Sequence, residues 1–214
     1  MGTEAINPDL IKKRMWLDYQ FASSNPANEQ LDCVHDLIIM LADQDLDMHK
    51  FLQDVADTMS KRLCIKEITI GLRSPEDGRY RYEVMSGLEP SEWEAHKNLS
   101  YTRDQFYSQD VYKFKEISRY TRLYLAEDNP YGTGEDETYS KEVMLQSVRK
   151  SLEDTIEGDY LDICIYGEDD DLLGWIEISG LTNGKFPDVQ TIKCVELLAS
   201  VIGVVLLRSG ARET

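Results

Sequence analysis

Apolar and polar positions alternate along residues 161–166 (LDICIY), which is the period of a half-buried β-strand. An acidic turn, residues 167–171, separates this segment from a second apolar strand at residues 172–180. Pro187 then opens a segment whose apolar residues recur at helical spacing as far as Leu206. The final third of the chain therefore predicts a β-hairpin followed by a long apolar helix.

The first 63 residues predict three helices. Asparagine followed by proline is a strong helix start, and it places the first two helices at residues 8–22 and 26–42. A third begins near Asp47 and has an apolar stripe that ends at Leu63.

A hairpin follows these helices. Its turn is residues 74–78 (SPEDG), and Ile68, Ile70 and Leu72 alternate before it. After the turn, the alternation predicts that Tyr80, Tyr82 and Val84 share a face. Beyond the hairpin we expect a helix at 91–97, a strand in the first half of 111–125, a loop at 129–138 and a helix at 140–156.

The net charge of −17 changes the set of expected partners. An acidic surface repels nucleic acids and anionic membranes, so neither is expected as a partner. Residues 127–171 contribute about 15 acids against about 3 bases. We interpret this run as a hydrated surface, because it lacks the ligand spacing of a calcium loop.

Spacing argues against a metal cluster and a membrane anchor. The four cysteines, Cys33, Cys64, Cys164 and Cys194, lack zinc-binding intervals and are expected to be reduced. No signal peptide is recognisable, and the most apolar run, residues 195–207, is shorter than a membrane span. We therefore expect a cytoplasmic protein.

Three segments, residues 66–88, 159–180 and 186–207, together resemble a GAF domain of the sensory type found in archaeal and bacterial signal transduction. The similarity includes the glycine-apolar pattern of residues 174–178, which precedes the last helix. It implies an α+β fold with a central antiparallel sheet of five or six strands and the N- and C-terminal helices on one face. It also implies a ligand cavity on the other face, covered by residues 90–158.

The resemblance divides the chain in two. We expect residues 1–43 to form an N-terminal helical extension for dimerisation or signalling, and residues 44–209 to form a GAF-like ligand-binding domain. The motifs of the cyclic-nucleotide and phytochrome subgroups are absent from the sequence, so the cofactor is unknown.

The candidate ligand-binding residues come mainly from the middle segment and the two hairpins. Guanidinium groups bind anions and tyrosines supply flat walls with polar tips, although the arginines could equally pair with nearby acids and the aromatics could form core. The set is Tyr82, Tyr101, Phe106, Tyr112, Arg119, Tyr120, Arg122, Tyr124, Cys164, Trp175 and Glu177.

Alternation places Trp175 and Glu177 on one face of their strand together with Leu173. If that face is the cavity floor, Glu177 can accept a hydrogen bond from a ligand. If it lies under the terminal helices, Glu177 must be paired, because an isolated buried carboxylate is costly.

Three functions remain open. The first is a non-enzymatic sensor that binds a small molecule, dimerises through its terminal helices and signals to a partner protein. The second is a redox enzyme of the free methionine sulfoxide reductase type, which needs two cysteines at the cavity. The third is a structural dimerisation module whose cavity is filled by its own side chains.

Overall fold

The computed structural model describes residues 8–22, 26–42, 46–128, 131–132, 134–135 and 137–210. The helices are α1 (Pro8–Ala22), α2 (Pro26–Met40), α3 (Met48–Leu63), α4 (Pro90–Lys97), α5 (Arg103–Tyr107), α6 (Lys141–Gln146) and α7 (Val189–Gly210). The strands are β1 (Ile68–Arg73), β2 (Tyr80–Ser86), β3 (Lys115–Glu116), β4 (Thr121–Tyr124), β5 (Tyr160–Tyr166) and β6 (Leu172–Ile178).

The strands form one antiparallel sheet in the order β2-β1-β6-β5-β4-β3. Helices α2, α3 and α7 pack in one core with the sheet. The predicted α+β fold, an antiparallel sheet with helices on one face, is confirmed.

The core between the sheet and the helices follows from the alternation in the sequence. Leu161, Ile163 and Ile165 of β5 lie on the helix side, so the alternating Asp162 and Cys164 lie on the opposite side. Helix α3 buries Phe51, Leu52, Val55, Ala56, Met59 and Leu63. Its first turn is fixed by Asp47, whose side chain accepts a hydrogen bond from the backbone N–H of Lys50 at 2.9 Å.

The two N-terminal helices have different environments. Helix α2 buries Cys33 and Leu37 in the main core, against α3 and α7. Helix α1 exposes Leu10, Ile11, Met15, Trp16 and Tyr19. The domain boundary at residue 43 stays a prediction, and α2 shares its core with the residues beyond it.

Two β-bulges overturn part of the predicted facing. Ile70 pairs with Val84 but Gly71 pairs with Tyr82, so Glu83 is an extra residue in β2. Tyr80 and Tyr82 consequently face away from the helices, whereas Val84 packs under them. The prediction that these three residues share a face is wrong, because strict alternation ends at the bulge.

The second bulge lies in the closing hairpin. Ile165 pairs with Gly174 and Tyr166 pairs with Leu172, which leaves Leu173 as the extra residue. Leu173 packs against the helix-side core, while Trp175 belongs to the opposite cluster. The predicted common face of Leu173 with Trp175 and Glu177 is therefore wrong for Leu173 alone.

Two predictions in the middle of the chain are also wrong in part. Of the strand expected in the first half of 111–125, the structure forms the two residues of β3, and the longer strand, β4, lies in the second half, where Thr121–Tyr124 pairs with β5. The helix expected at 140–156 ends at Gln146. Beyond it the chain is irregular, because Asp154 accepts hydrogen bonds from the backbone N–H groups of Lys150 and Ser151.

Helix α7 extends well beyond the apolar run at residues 195–207 that the sequence analysis identified. Over Val189–Ser209 it has the length and composition of a membrane span, and 50% of its most apolar window is buried within the fold. The side chains that bury this surface are Val195, Leu198, Ala199, Ile202 and Val205, which pack in the main core. Core packing accounts for the apolar character of this part of α7.

Candidate functional site

A cavity of about 100 Å³ lies on the face of the sheet opposite the helices. Its floor is formed by β1, β2, β4, β5 and β6. Its walls and cover are formed by α4 and by side chains of the middle segment, namely Tyr101, Phe106, Tyr112, Tyr131, Glu135, Thr138 and Tyr139, together with residues 157–159. One ordered water needs roughly 10–15 Å³ of such space. The cavity therefore has room for a small ligand or several waters.

Seven of the eleven residues expected at a ligand site line this cavity. They are Tyr82, Tyr101, Phe106, Tyr112, Tyr124, Trp175 and Glu177. The rings of Tyr82 and Tyr101 meet that of Trp175 edge to face, with centroids 5.2 and 5.9 Å apart. The aromatic side chains thus form walls around a polar interior.

The other four candidates lie elsewhere. Arg119 is exposed and pairs with Asp170, and Tyr120 packs against the helix-side core. Cys164 is buried in the aromatic cluster beneath the cavity. Arg122 is buried over the ring of Tyr107, 4.3 Å from its centroid, and its Nη1 donates to the carbonyl oxygen of Phe106 at 3.0 Å.

Phenol groups hold the carboxylates that face the cavity. Tyr101 and Tyr112 donate hydrogen bonds to Oε1 of Glu135, at 2.8 and 2.9 Å, and Tyr82 donates to Oε2 of Glu177 at 3.0 Å. Burial, followed by the nearby carboxylates, raises the pKa of all three tyrosines. They therefore stay neutral and act as donors.

Three polar residues form a row across the cavity floor. Glu177 of β6 pairs in register with Thr69 of β1 on one side and with Asp162 of β5 on the other. Asp162 is 5% exposed and Thr69 is 2% exposed, yet Asp162 Oδ1 and Thr69 Oγ1 have no hydrogen-bond partner among the described residues. Buried polar atoms normally have one, so this row is incomplete.

The two carboxyl groups in the row have raised pKa values. Burial raises the pKa of Glu177 to about 7, a rise that the Tyr82 hydrogen bond opposes and the charge of Glu135 increases. Burial and then the charge of Glu177 raise the pKa of Asp162 well above its ordinary value, although Arg122 and Tyr124 oppose this.

His96 is the one histidine among the residues that line the cavity. Its Nδ1 lies 2.7 Å from the carbonyl oxygen of Glu92, which only accepts, so Nδ1 carries the proton. Burial lowers the pKa of His96, which favours the neutral ring at physiological pH.

Cations hold the acids at the cavity margin. Lys66 is 2.6 Å from Glu67 and 3.9 Å from Glu157. Arg149 is 2.6 Å from Asp159, which also accepts from two backbone N–H groups. The described lining contains seven carboxyl groups and no lysine or arginine.

The sequence interpretation missed Thr69, Glu135, Asp159 and Asp162. Asp162 had a usable signal, because it alternates with the apolar residues of β5 and so lies on the second face of that strand. In an acid-rich chain we interpreted such a residue as solvent-exposed. Glu135 belongs to an acidic loop, and long-range phenol contacts that leave no local pattern bury it.

The arrangement favours binding over thiol or metal chemistry. None of the four cysteines lines the cavity, and Cys33 and Cys194 lie in the core on the other side of the sheet. Within the described ranges no cluster of three or more His, Cys, Asp or Glu residues is arranged to hold a metal ion.

No family model matches the chain, and no curated protein matches it. Solved structures are similar to most of it. The GAF domain of a phosphoenolpyruvate-protein phosphotransferase from Coxiella burnetii matches with a TM-score of 0.58 and 16% identity, over 89% of this chain and 99% of that one. The corresponding Acinetobacter domain gives a TM-score of 0.55 and 14% identity, over 86% and 96%.

A third similar structure is the phycocyanobilin-bound GAF domain of a cyanobacterial phytochrome, with a TM-score of 0.55 and 13% identity over 86% of this chain and 96% of that one. At such identities the likeness concerns the fold alone. The antiparallel sheet, the helical layer and these three matches agree. This chain has the fold of a GAF domain.

Proposed function

We propose that this protein is a non-enzymatic sensory GAF domain that binds a small molecule in the cavity and transmits binding through its terminal helices. The observation that carries the proposal is the incomplete polar row on the floor. Asp162 Oδ1 and Thr69 Oγ1 are buried polar atoms without a partner among the described residues, and both residues line the cavity. A ligand with donor groups would complete them.

A route from the cavity to α7 supports signalling. Adjacent residues of β4 face opposite sides: Arg122 lies beside Asp162, and Thr121 donates to Oε1 of Glu196 on α7 at 2.8 Å. Ser118 donates to the same oxygen. A ligand with different affinities for two positions of β4 would bias the position of α7.

The geometry disfavours the two alternatives. A reductase of the methionine sulfoxide type needs two cysteines at the cavity, and its lining contains none. A purely structural module needs a filled cavity, whereas about 100 Å³ is open. We propose homodimerisation, with α1 and α7 as the interface, and a signalling partner protein as further parts of this function.

Native mass spectrometry of freshly purified protein tests ligand binding. The expected result is a mass above that of the polypeptide, which disappears after denaturation and is absent from a Trp175→Ala variant. Turnover of free methionine sulfoxide by the purified protein would contradict the non-enzymatic proposal.

A further inference from the structure

The cavity interior combines three features that restrict the chemistry of its ligand. Carboxyl groups face it, neutral aromatic rings surround it, and buried acceptor atoms on its floor lack donors. Each feature excludes a class of molecule. The ligand class that they define rests on the proposed ligand-binding function and deepens it.

The charge distribution excludes anionic ligands. Glu135, Asp162 and Glu177 line the cavity, and the buried guanidinium of Arg122 is enclosed by the rings of Phe106, Tyr107 and Phe114. An anion would be placed against several carboxylates in a medium that screens poorly. A cation would be attracted by the same groups.

The register of β5 and β6 places the position of strongest attraction for a cation between Asp162 and Glu177. Asp162 and Glu177 are directly opposite on neighbouring strands, which lie about 4.8 Å apart. Like charges in this position are destabilising. A positive group between the two carboxylates would remove the repulsion and satisfy Asp162 Oδ1.

The aromatic walls favour the same class. Tyr82, Tyr101 and Trp175 form a contiguous edge-to-face cluster beside the row. Cations bind to the faces of such rings, and Trp and Tyr are the strongest partners. The ring of Phe106 extends this surface, 5.4 Å from Trp175.

The unpartnered atoms distinguish among cations. Ionised Asp162 Oδ1 can only accept a hydrogen bond, and the hydroxyl of Thr69 can accept one as well, so a ligand that donates satisfies both atoms. A quaternary ammonium group has no N–H, and a bare divalent cation would need a cluster of ligands that the described residues do not provide. A protonated amine or a guanidinium group has several N–H donors.

We infer that the ligand is a small organic amine in its protonated form, with its nitrogen between Asp162 and Glu177 and its carbon skeleton against Tyr82, Tyr101 and Trp175. Its N–H groups donate to Asp162 Oδ1 and Thr69 Oγ1. Glu135, already bonded to two phenols, adds charge without direct contact.

The titration of the site supplies a second signature. Burial raises the pKa of Glu177 to about 7 and that of Asp162 above its ordinary value, so a cation binds best after both have lost their protons. Affinity for an amine is expected to increase as the pH rises through about 7, the pKa of Glu177. The other titratable or charged groups around the row are Glu67, Tyr82, His96, Tyr101, Tyr112, Arg122, Tyr124, Glu135 and Tyr160.

Isothermal titration calorimetry with matched probes tests the inference. The amines are putrescine and phenethylamine, the neutral counterparts are 1,4-butanediol and 2-phenylethanol, and the anionic counterparts are succinate and phenylacetate. We expect at least one amine to bind at least tenfold more tightly than its neutral counterpart, with no binding of either anion. Equal or tighter binding of a neutral or anionic probe, or binding of none of the six, overturns the inference.

Variants locate the binding. Asp162→Asn keeps the shape of the side chain and removes its charge, and it is expected to lower amine affinity at least tenfold without lowering the melting temperature. Thr69→Val, which removes the hydroxyl group and nearly keeps the volume of the side chain, should lower affinity severalfold. Asp110→Asn, an equal charge change at an exposed position, should alter affinity less than twofold. Unchanged affinity in Asp162→Asn overturns the inference.

The two proposals fail separately. A co-purifying adduct that is neutral or anionic would leave ligand binding in place and overturn the amine. Protein that carries no adduct and binds none of the probes would count against both.

Discussion

At the scale of single residues, the cavity is a place where the protein has placed acids at a cost to its own stability. Asp162 is buried and Glu177 lies half-buried beside it; loss of solvent contact raises the pKa of both, and the charge of Glu177 raises that of Asp162 further. Glu196, on the opposite side of the sheet, is buried but well supplied with donors. These two environments give opposite pH dependences.

Glu177→Gln should remove a loss of stability that occurs as the pH rises. Because the folded pKa of about 7 lies above the reference value of 4.5, the stabilisation is complete below pH 4.5 and is lost as the pH rises through 7. The difference corresponds to about 3.5 kcal/mol at most, since the two pKa values differ by about 2.5 and each pKa unit is worth about 1.4 kcal/mol. Urea unfolding at pH 5 and pH 8 measures it.

The matched control is Glu116→Gln, an exposed carboxylate on β3, which should leave the pH dependence unchanged. A Glu177→Gln protein with the same difference between pH 5 and pH 8 as the unsubstituted chain would show that this carboxyl group does not carry the effect.

Glu196→Gln should destabilise the protein at neutral pH. Burial raises the pKa of Glu196, but donors from Lys193, Ser118 and Thr121 outweigh it and lower the pKa overall. The stabilisation that ionised Glu196 provides is therefore present at pH values above its pKa in the unfolded chain. It is lost as the pH falls through the lower pKa of the folded protein. Weakened hydrogen bonds to a charged acceptor cost about 1–3 kcal/mol.

Denaturant unfolding at pH 7 checks this loss, with Glu94→Gln, an exposed residue paired with Lys97, as the comparison. If both variants unfold at the same midpoint, the contact between β4 and α7 is not a stabilising one.

At the scale of elements, alternation within strands and the apolar stripes of helices were readable from the sequence, since both depend on neighbours in the chain. The hairpins, α3 and the buried face of α7 followed from these periods. The bulges at Glu83 and Leu173 did not, because pairing with another strand defines an extra residue. For the same reason, the sequence did not reveal the polar row of Thr69, Glu177 and Asp162, because pairing of three strands brings these residues together.

The conformation of residues 147–159 could not be predicted from the sequence for a related reason. Residues 147–159 are fixed by contacts that are distant in sequence, such as Arg149 to Glu127 at 2.6 Å and Lys185 to Asp154 at 2.5 Å. Local propensity there favoured a helix of which one short piece, α6, is formed. Seven candidate cavity residues were nevertheless found, since aromatic side chains mark pocket walls in many folds.

Gly71→Ala should disturb the cavity floor. A Cβ atom at this position of β1 would lie 2.5 Å from the ring of Trp175, so the indole must move. Overpacking of this kind costs about 1–3 kcal/mol. Thermal unfolding measures the loss, and Glu76→Ala in the adjacent turn is the control. Unchanged stability would mean that Trp175 has another position available.

At the scale of the whole molecule, contacts within one chain do not account for the apolar residues exposed on helix α1. Trp16 of α1 is 62% exposed and has Met15 and Leu10 as exposed neighbours on the same helix. Val204 and Leu207 of α7 are exposed as well. Apolar surface of this kind is typical of an interface.

Sedimentation velocity at micromolar concentration should therefore detect a dimer, as proposed for the terminal helices. Trp16→Ser should weaken it at least tenfold, because burial of a tryptophan side chain contributes several times RT. Lys13→Ser, at an exposed position on the same helix, should have little effect. A purely monomeric unsubstituted protein would refute the interface.

The paired irregularities in β2 and β6 have a consequence for how such a chain can diverge. Each bulge changes which side chains of its strand face the helices and which face the cavity. Core packing and the cavity lining therefore depend on different side chains of the same strand. Substitutions on the recess side can then change what is recognised while the supporting layer is conserved. Deletion of Glu83 would leave Tyr82 opposite Gly71 and Val84 opposite Ile70, so regular alternation would keep both sets of side chains on their own faces.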